Sequence, residues 1–115
     1  MEEKQPVIEG IEDIVIISGN KIKRGRYFVN FGDKKGPLYK DIWGLIKVND
    51  KYAYIAQTED DQVVVNFDGV EGPKYRCIRN LKQTEDGYEY LARNNDCKML
   101  VNKNGEEILE LEPAA

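Results

Sequence analysis

Apolar residues in this chain come in short runs, and the pattern of the runs predicts strands. Val, Ile, Tyr and Phe cluster together, and the breaks between the clusters are rich in Gly, Asn, Asp and Pro. Residues of the first group are favoured in strands, and those of the second group in turns. No window places its apolar residues at helical spacing. The pattern therefore predicts an all-β fold of repeated antiparallel meanders.

The predicted strands follow from these runs and breaks. Their ranges are Pro6–Glu9, Ile11–Ser18, Arg26–Phe31, Leu45–Val48, Tyr52–Gln57, Val63–Phe67, Leu81–Thr84, Tyr88–Arg93, Lys98–Lys103 and Glu106–Glu112. Lys21–Arg26 is predicted to be a basic connection that begins at Gly19-Asn20, because Gly19 and Gly25 suit a turn. Asp68–Gly69 and Asn104–Gly105 predict two-residue hairpin turns, since both residues of such a turn need positive φ. Gly32–Asp33 stands in the same place in the first unit.

The chain also repeats itself at a spacing of 36 residues, with 17 identities in 43 positions between residues 29–71 and 65–107. Val29-Asn30-Phe31 falls on Val65-Asn66-Phe67, and Gly36-Pro37 falls on Gly72-Pro73. Each Gly-Pro pair should end a strand, because proline cannot donate a ladder hydrogen bond. The repeat predicts one domain over residues 1–115 with units at about 6–36, 37–72 and 73–111.

Each unit carries an asparagine in the middle of a predicted strand, at Asn30, Asn66 and Asn102. A buried amide is unfavourable unless its hydrogen bonds are satisfied. We expect these amides to bond to turns rather than to a ligand. The apolar residues at equivalent positions are expected to form the core between stacked sheets.

Two stretches resemble known repeat families. Lys98–Ile108 resembles the strand and Asn-Gly turn of bacterial WG repeats, and Tyr52–Ala56 followed by Val63–Tyr75 resembles the prokaryotic WD-type propeller repeat. The resemblance covers about residues 27–108 and implies propeller-like blades in a scaffold for interactions. A propeller typically needs four to eight blades to close. We therefore expect closure by oligomerisation, with a homodimer favoured, or a smaller sheet arrangement whose edges are covered otherwise.

Charge and the breaks in the repeat indicate candidate binding residues. Residues 21–51 hold nine Lys or Arg and three acids, within a chain of net charge −4. Lys21, Lys23, Arg24 and Arg26 could steer an anionic partner, or could be ordinary solvated charges. Trp43, the single tryptophan, stands where the next unit has Arg79 and is a candidate interface anchor if exposed. Overall acidity argues against general nucleic-acid binding.

The sequence offers little catalytic or metal-binding chemistry. It has no histidine and no nucleotide-binding loop, and Cys77 and Cys97 lack metal-ligand spacing, so we predict no catalytic residue, metal or cofactor. Acidic runs such as Glu59-Asp60-Asp61 leave calcium binding or carboxylate chemistry as an alternative. The two cysteines are read as reduced thiols, with a disulfide as the alternative. No apolar run is long enough to span a membrane and no leader is evident, so we expect a cytoplasmic protein.

These observations favour a non-enzymatic protein-interaction module, of the kind found as a small bacterial or phage inhibitor or adaptor, that binds a partner protein and itself. Two alternatives stay open. One is a carbohydrate-binding oligomeric propeller with aromatic pockets between blades. The other is a carboxylate-dependent hydrolase.

Overall fold

The computed structural model describes residues 5–111, and in that range every regular element is a strand. The strands are β1 Val7–Ile17, β2 Asn20–Asn30, β3 Asp41–Val48, β4 Lys51–Gln57, β5 Val63–Phe67, β6 Val70–Glu71, β7 Cys77–Thr84, β8 Gly87–Arg93, β9 Met99–Lys103 and β10 Glu106–Leu111. All pairings between them are antiparallel. The prediction of an all-β fold is confirmed.

The strands form three sheets: a two-stranded hairpin of β1 and β2, a four-stranded sheet β3-β4-β5-β6, and a four-stranded sheet β7-β8-β9-β10. The two larger sheets match strand for strand at the offset of 36 residues. Even their irregularities match, because β3 has a bulge after Trp43 and β7 has one after Arg79. Gly44 and Asn80 follow these residues and have positive φ angles of 67° and 59°.

The predicted hairpin turns are confirmed. Asp68 and Gly69 have φ angles of 52° and 86°, and Asn104 and Gly105 have φ angles of 53° and 90°. The Gly-Pro break also behaves as expected, because β6 ends at Glu71 immediately before Gly72. In the last sheet Ile108 and Leu109 stand at the Gly-Pro positions, and β10 continues through them with a bulge.

Three predictions about the strands are wrong. β1 runs without a break where two strands were expected, because its partner β2 is long enough to pair with all of it. Lys21–Arg26 is not a connection but the first half of β2, and the turn lies at Ser18–Gly19, whose φ angles are 51° and 80°. β3 and β7 begin at Asp41 and Cys77, earlier than predicted, because each bulge lets the strand continue past the irregular residue. The last residue of the predicted strand 106–112 lies outside the described range.

The core consists of two apolar layers, one on each face of the β3–β6 sheet. On one face, Tyr54, Ala56 and Val64 pack with Val29 of the hairpin. On the other face, Ile55 and Val65 pack against the β7–β10 sheet. The middle sheet is therefore buried on both sides, and its strands β4 and β5 read as nearly continuous apolar runs for that reason.

A hydrogen-bonded joint of three residues crosses each layer. Tyr39 Oη donates to the Glu71 carboxylate at 2.6 Å and accepts from Asn66 Nδ2 at 3.1 Å. The second joint repeats this arrangement: Tyr75 Oη lies 3.1 Å from Glu107 Oε1 and 2.9 Å from Asn102 Nδ2. The Asn and Glu partners of each tyrosine belong to the sheet that follows it. The backbone of the tyrosine pairs with the preceding unit, Tyr39 with Tyr27 and Tyr75 with Val63, so the joint ties consecutive units together.

Two of the three asparagines also close turns, as predicted, whereas Asn102 Oδ1 is buried without a hydrogen-bond partner among residues 5–111. Asn66 Oδ1 accepts from the Gly69 amide at 3.0 Å, and Asn30 Oδ1 accepts from the Gly32 amide at 2.8 Å. Both Asn66 and Asn102 are fully buried. Their side chains are therefore structural.

Candidate interaction surface

The surface that differs most between the units is the outer half of the β1–β2 hairpin, residues 11–26, which we call the arm. Tyr27 of β2 is equivalent to Val63 of β5, which follows it by 36 residues. Their ladder partners, Gly10 in β1 and Gln57 in β4, therefore hold equivalent places as well. Between Gln57 and Val63 the chain closes with the short tip 58–62. At the same place the first hairpin continues for the whole arm, which is exposed along nearly its full length.

Isoleucines on both faces of the arm are exposed. Ile14 and Ile16 are 59% and 69% exposed and share one face, since residues two apart on a strand point the same way. Ile11, Ile17 and Ile22 lie on the opposite face and are also exposed. A two-stranded hairpin is marginally stable by itself in water. Contiguous exposed apolar residues of this kind mark interaction sites.

All four predicted basic residues lie on this arm, and Lys21, Lys23 and Arg24 are exposed. Lys21 and Lys23 share a face with Ile14 and Ile16, and Arg24 lies on the other face. Lys23 makes a long ion pair of 3.9 Å with Glu12, and both side chains are largely exposed. All three cationic side chains are exposed, and they flank the isoleucines.

Arg26 lies at the base of the arm and is engaged within the protein. Its guanidinium donates to both carboxylate oxygens of Glu59, at 2.6 Å and 2.9 Å, and its side chain is 9% exposed. A bidentate pair of this kind is geometrically specific. Arg26 therefore fixes the arm to the tip 58–62 and does not present its charge to solvent.

The acidic tip holds no unpaired carboxylate cluster. Glu59 pairs with Arg26, Asp61 pairs with Lys40 at 2.5 Å, and Asp60 pairs with Lys74 at 3.1 Å. A hydrogen bond from Thr58 and the ammonium of Lys74 lower the pKa of Asp60. The basic excess of residues 21–51 is thus partly neutralised by acids from the following unit.

Trp43 is 38% exposed and lies on β3, away from the arm strands. Gly44 forms the bulge beside Trp43 and has a positive φ angle. A side chain at position 44 would lie very close to Ile55 and would be strained at this φ. None of the contacts described for residues 5–111 joins Trp43 to the four basic residues. The structure therefore brings Lys21, Lys23 and Arg24 together and leaves Trp43 and Arg26 in separate surroundings.

Two clefts with equivalent linings lie between consecutive units. The first, of about 290 Å³, includes Phe31, Gly36, Pro37 and Tyr52, and the second, of about 510 Å³, includes the equivalent Phe67, Gly72, Pro73 and Tyr88. The aromatic rings lie 6.3 Å apart in the first cleft and 4.7 Å apart in the second. Lysines differ between them, because Lys34 and Lys35 line only the first.

Sequence reasoning missed the exposure of the arm isoleucines, whereas aromatic pockets between units were one of its alternatives. The sequence predicted Ile14–Ile17 as part of a strand and left its exposure undecided. The available signal was the length of the connection between the two first-unit strands, which has no counterpart in the later units.

Cys77 and Cys97 are both exposed and carry free thiols. Among residues 5–111, no helix has the length and apolar character needed to cross a membrane.

Comparison with known proteins gave no match to any family model, curated protein or solved structure.

Proposed function

We propose that this chain is a non-enzymatic protein-interaction module, and that the arm is its contact surface. The observation that carries the proposal is the concentration of exposed isoleucines on the arm. Ile11, Ile14, Ile16, Ile17 and Ile22 are all exposed there, whereas the exposed large apolar residues on strands β3 to β10 are Trp43, Val70, Ile108 and Leu109. Interface cores are rich in apolar residues and are surrounded by polar ones. The arm has this composition, with isoleucines in the middle and Lys21, Lys23 and Arg24 around them.

The remainder of the chain acts as the support that holds the arm. The two apolar layers and the two Tyr–Asn–Glu joints fix the sheets to each other, and Arg26 fixes the base of the arm to the tip 58–62. A surface held by a rigid support loses less conformational entropy on binding than a loose one.

We also propose that the sheets are blades of a propeller-like stack, with self-association through the arm rather than through ring closure. Ring closure by two chains would place the last sheet of one copy on the first hairpin of another. The joint residues needed there are replaced, since Leu111 stands at the position of Tyr75 and Lys35 stands at the position of Glu71. Asn30 Nδ2 instead donates to Glu9 Oε2 within its own hairpin, at 2.9 Å. The ends of the stack thus have the altered character of capping repeats.

The test is photo-crosslinking from matched positions. Ile16 and Val70 are both 69% exposed, but only Ile16 lies on the arm. A benzophenone amino acid at position 16 should give adducts in a lysate of the source cells, and the same group at position 70 should not. Mass spectrometry identifies each adduct as a second copy or another protein. Equal labelling from both positions, or none from position 16, would contradict the proposal.

A second candidate function is carbohydrate binding in the two clefts. It is favoured by one observation, the repetition of a Phe–Tyr pair beside a Gly-Pro break at both sites. Aromatic rings in concave sites are common in ligand pockets. A glycan array with the intact chain tests this function, and Tyr52→Ala should remove binding to the first cleft only. An array without hits would dismiss it.

A further inference from the structure

We propose that the arm pairs with the arm of a second copy through the outer edge of β1, which makes a four-stranded antiparallel sheet across a twofold axis. The inference rests on the proposed role of the arm and names its partner. It comes from the backbone of β1, from the distribution of charge between the two arm edges, and from the register that the sequence permits.

The outer edge of β1 is unpaired in the described part of the chain, residues 5–111, where β1 has β2 as its single neighbour. The direction of its amides follows from Tyr27, whose amide and carbonyl both bond to Tyr39 and therefore point away from β1. In an antiparallel ladder, the amides and carbonyls of two opposite residues either both point toward the partner strand or both point away from it. The two cases alternate along the strand. Gly10, Glu12, Ile14 and Ile16 therefore turn their amides and carbonyls outward.

The two edges of the arm are not equally open to pairing. On β2 the outward-turned residues of the arm include Lys21 and Lys23, opposite Ile16 and Ile14. Lysines on an edge strand discourage pairing with another strand, since two such edges would bring like charges together. The corresponding residues of β1 are isoleucines. The β1 edge is therefore the open edge, and the β2 edge is protected.

The sequence of β1 allows a particular register. Consider two antiparallel copies of β1 related by a twofold axis perpendicular to the sheet. Residues that pair across the axis have their side chains on the same face, so the axis lies midway between the two copies of one residue. An axis at Glu12 or Asp13 would place identical carboxylates opposite each other, which is unfavourable. An axis at Ile14 pairs Ile11 with Ile17 and Glu12 with Ile16, so no like charges meet. This register pairs residues 11–17 of both copies.

The same register collects the exposed isoleucines. Ile14 faces Ile14 of the second copy, and the two Ile16 side chains lie on the same face of the new sheet. Lys23 and Lys21 follow at the outer strands. Because the strands are antiparallel, the two bodies lie at opposite ends of the arm pair. The new sheet has the same number of strands as the other two sheets of the chain.

Two proline variants provide a matched test. Ile14 and Lys23 face each other across the hairpin, and both turn their amides away from the β1–β2 ladder. Proline at either position therefore removes an outward donor without removing a hydrogen bond of the hairpin. Light scattering coupled to size exclusion, over a range of micromolar concentrations, should show a concentration-dependent dimer for the intact chain. Ile14→Pro should give a monomer, and Lys23→Pro should dimerise like the intact chain.

A covalent test fixes the register. In a chain carrying Cys77→Ser and Cys97→Ser, Ile14→Cys should form a disulfide-linked dimer on mild oxidation, because opposite residues of antiparallel strands lie within disulfide reach. Lys23→Cys in the same background should remain monomeric on a non-reducing gel. Circular dichroism of each variant checks that its strands are retained.

A monomer at every concentration, or a dimer that survives Ile14→Pro, would overturn the inference. Its failure is separable from failure of the proposed function. Crosslinks from position 16 to a different protein would keep the arm as an interaction surface while excluding self-pairing.

Discussion

The hairpins β1–β2 and β4–β5 occupy equivalent places in their units and have opposite surroundings. Each hairpin contains one of the repeated asparagines, Asn30 in the first and Asn66 in the second. Val7 pairs with Asn30 and Tyr54 pairs with Asn66, so Val7 and Tyr54 hold equivalent positions. Tyr54 is 1% exposed between two sheets, whereas Val7 is 54% exposed. The second hairpin closes in the short tip 58–62, while the first extends as the arm. One local pattern can thus be buried in the core or left exposed, depending on what covers it.

The largest expected effect is loss of a buried aromatic ring from the second hairpin. Tyr54→Ala should lower the free energy of unfolding by about 3–5 kcal/mol, as large-to-small changes in a packed core do. The equivalent change in the first hairpin, Val7→Ala, should stay within about 0.5 kcal/mol because the position is exposed. Urea denaturation of both variants measures the difference. Similar losses in both would remove the contrast between the hairpins.

Removal of a joint hydroxyl should have an intermediate effect. Tyr39→Phe takes away the acceptor of Asn66 and the donor to Glu71, and leaves the buried Asn66 amide without that partner. We expect a loss of about 1–3 kcal/mol, the usual cost of an unsatisfied buried group. Tyr27→Phe is the control, since Tyr27 is partly exposed. Denaturation midpoints that coincide for the two variants would show that the joint does not hold the sheets.

Alkaline pH should weaken the middle of the stack. Burial, with a further contribution from Glu71, raises the pKa of Tyr54 to about 12, and burial and the hydrogen bond to Glu71 also raise the pKa of Tyr39. A raised pKa means that the folded state holds its proton when the unfolded chain has begun to lose it, at about pH 10. The stabilisation is complete below that pH and is lost as pH rises toward the folded-state values. Urea midpoints measured from pH 8 to pH 11.5 should decrease once the pH exceeds about 10. In Tyr54→Phe the midpoint should decrease less steeply with pH. Midpoints that rise with pH would contradict this account.

Removal of the arm should lower stability less than either of the core substitutions Tyr54→Ala and Tyr39→Phe. Replacement of residues 11–26 by the tip sequence of residues 58–62 removes the Arg26–Glu59 ion pair but no part of the two apolar layers. Partly exposed ion pairs contribute about 1 kcal/mol or less, so thermal unfolding should change little. Crosslinking and dimerisation should both be lost. Loss of folding on removal of the arm would show that it is part of the core.

The fold was predictable where local chemistry decides the structure. Asp68–Gly69 and Asn104–Gly105 require tight turns, and Gly72–Pro73 ends a strand, whatever surrounds them. The candidate site was less predictable because exposure depends on neighbours distant in sequence. Ile14 and Ile55 are both isoleucines in apolar runs, and only the sheet packed on Ile55 separates them. Arg26 shows the same limit, since its charge is neutralised by Glu59, which lies 33 residues away.

Residue-resolved hydrogen exchange of the arm tests the central claim most directly. Amides that face inward between β1 and β2 should be less protected than those of β4 and β5, because the arm has no packed layer. The outward amides of Glu12, Ile14 and Ile16 should gain protection as protein concentration rises, while those of Lys21 and Lys23 stay unprotected. Equal protection on both edges at all concentrations, or gain at the β2 edge alone, would contradict the account.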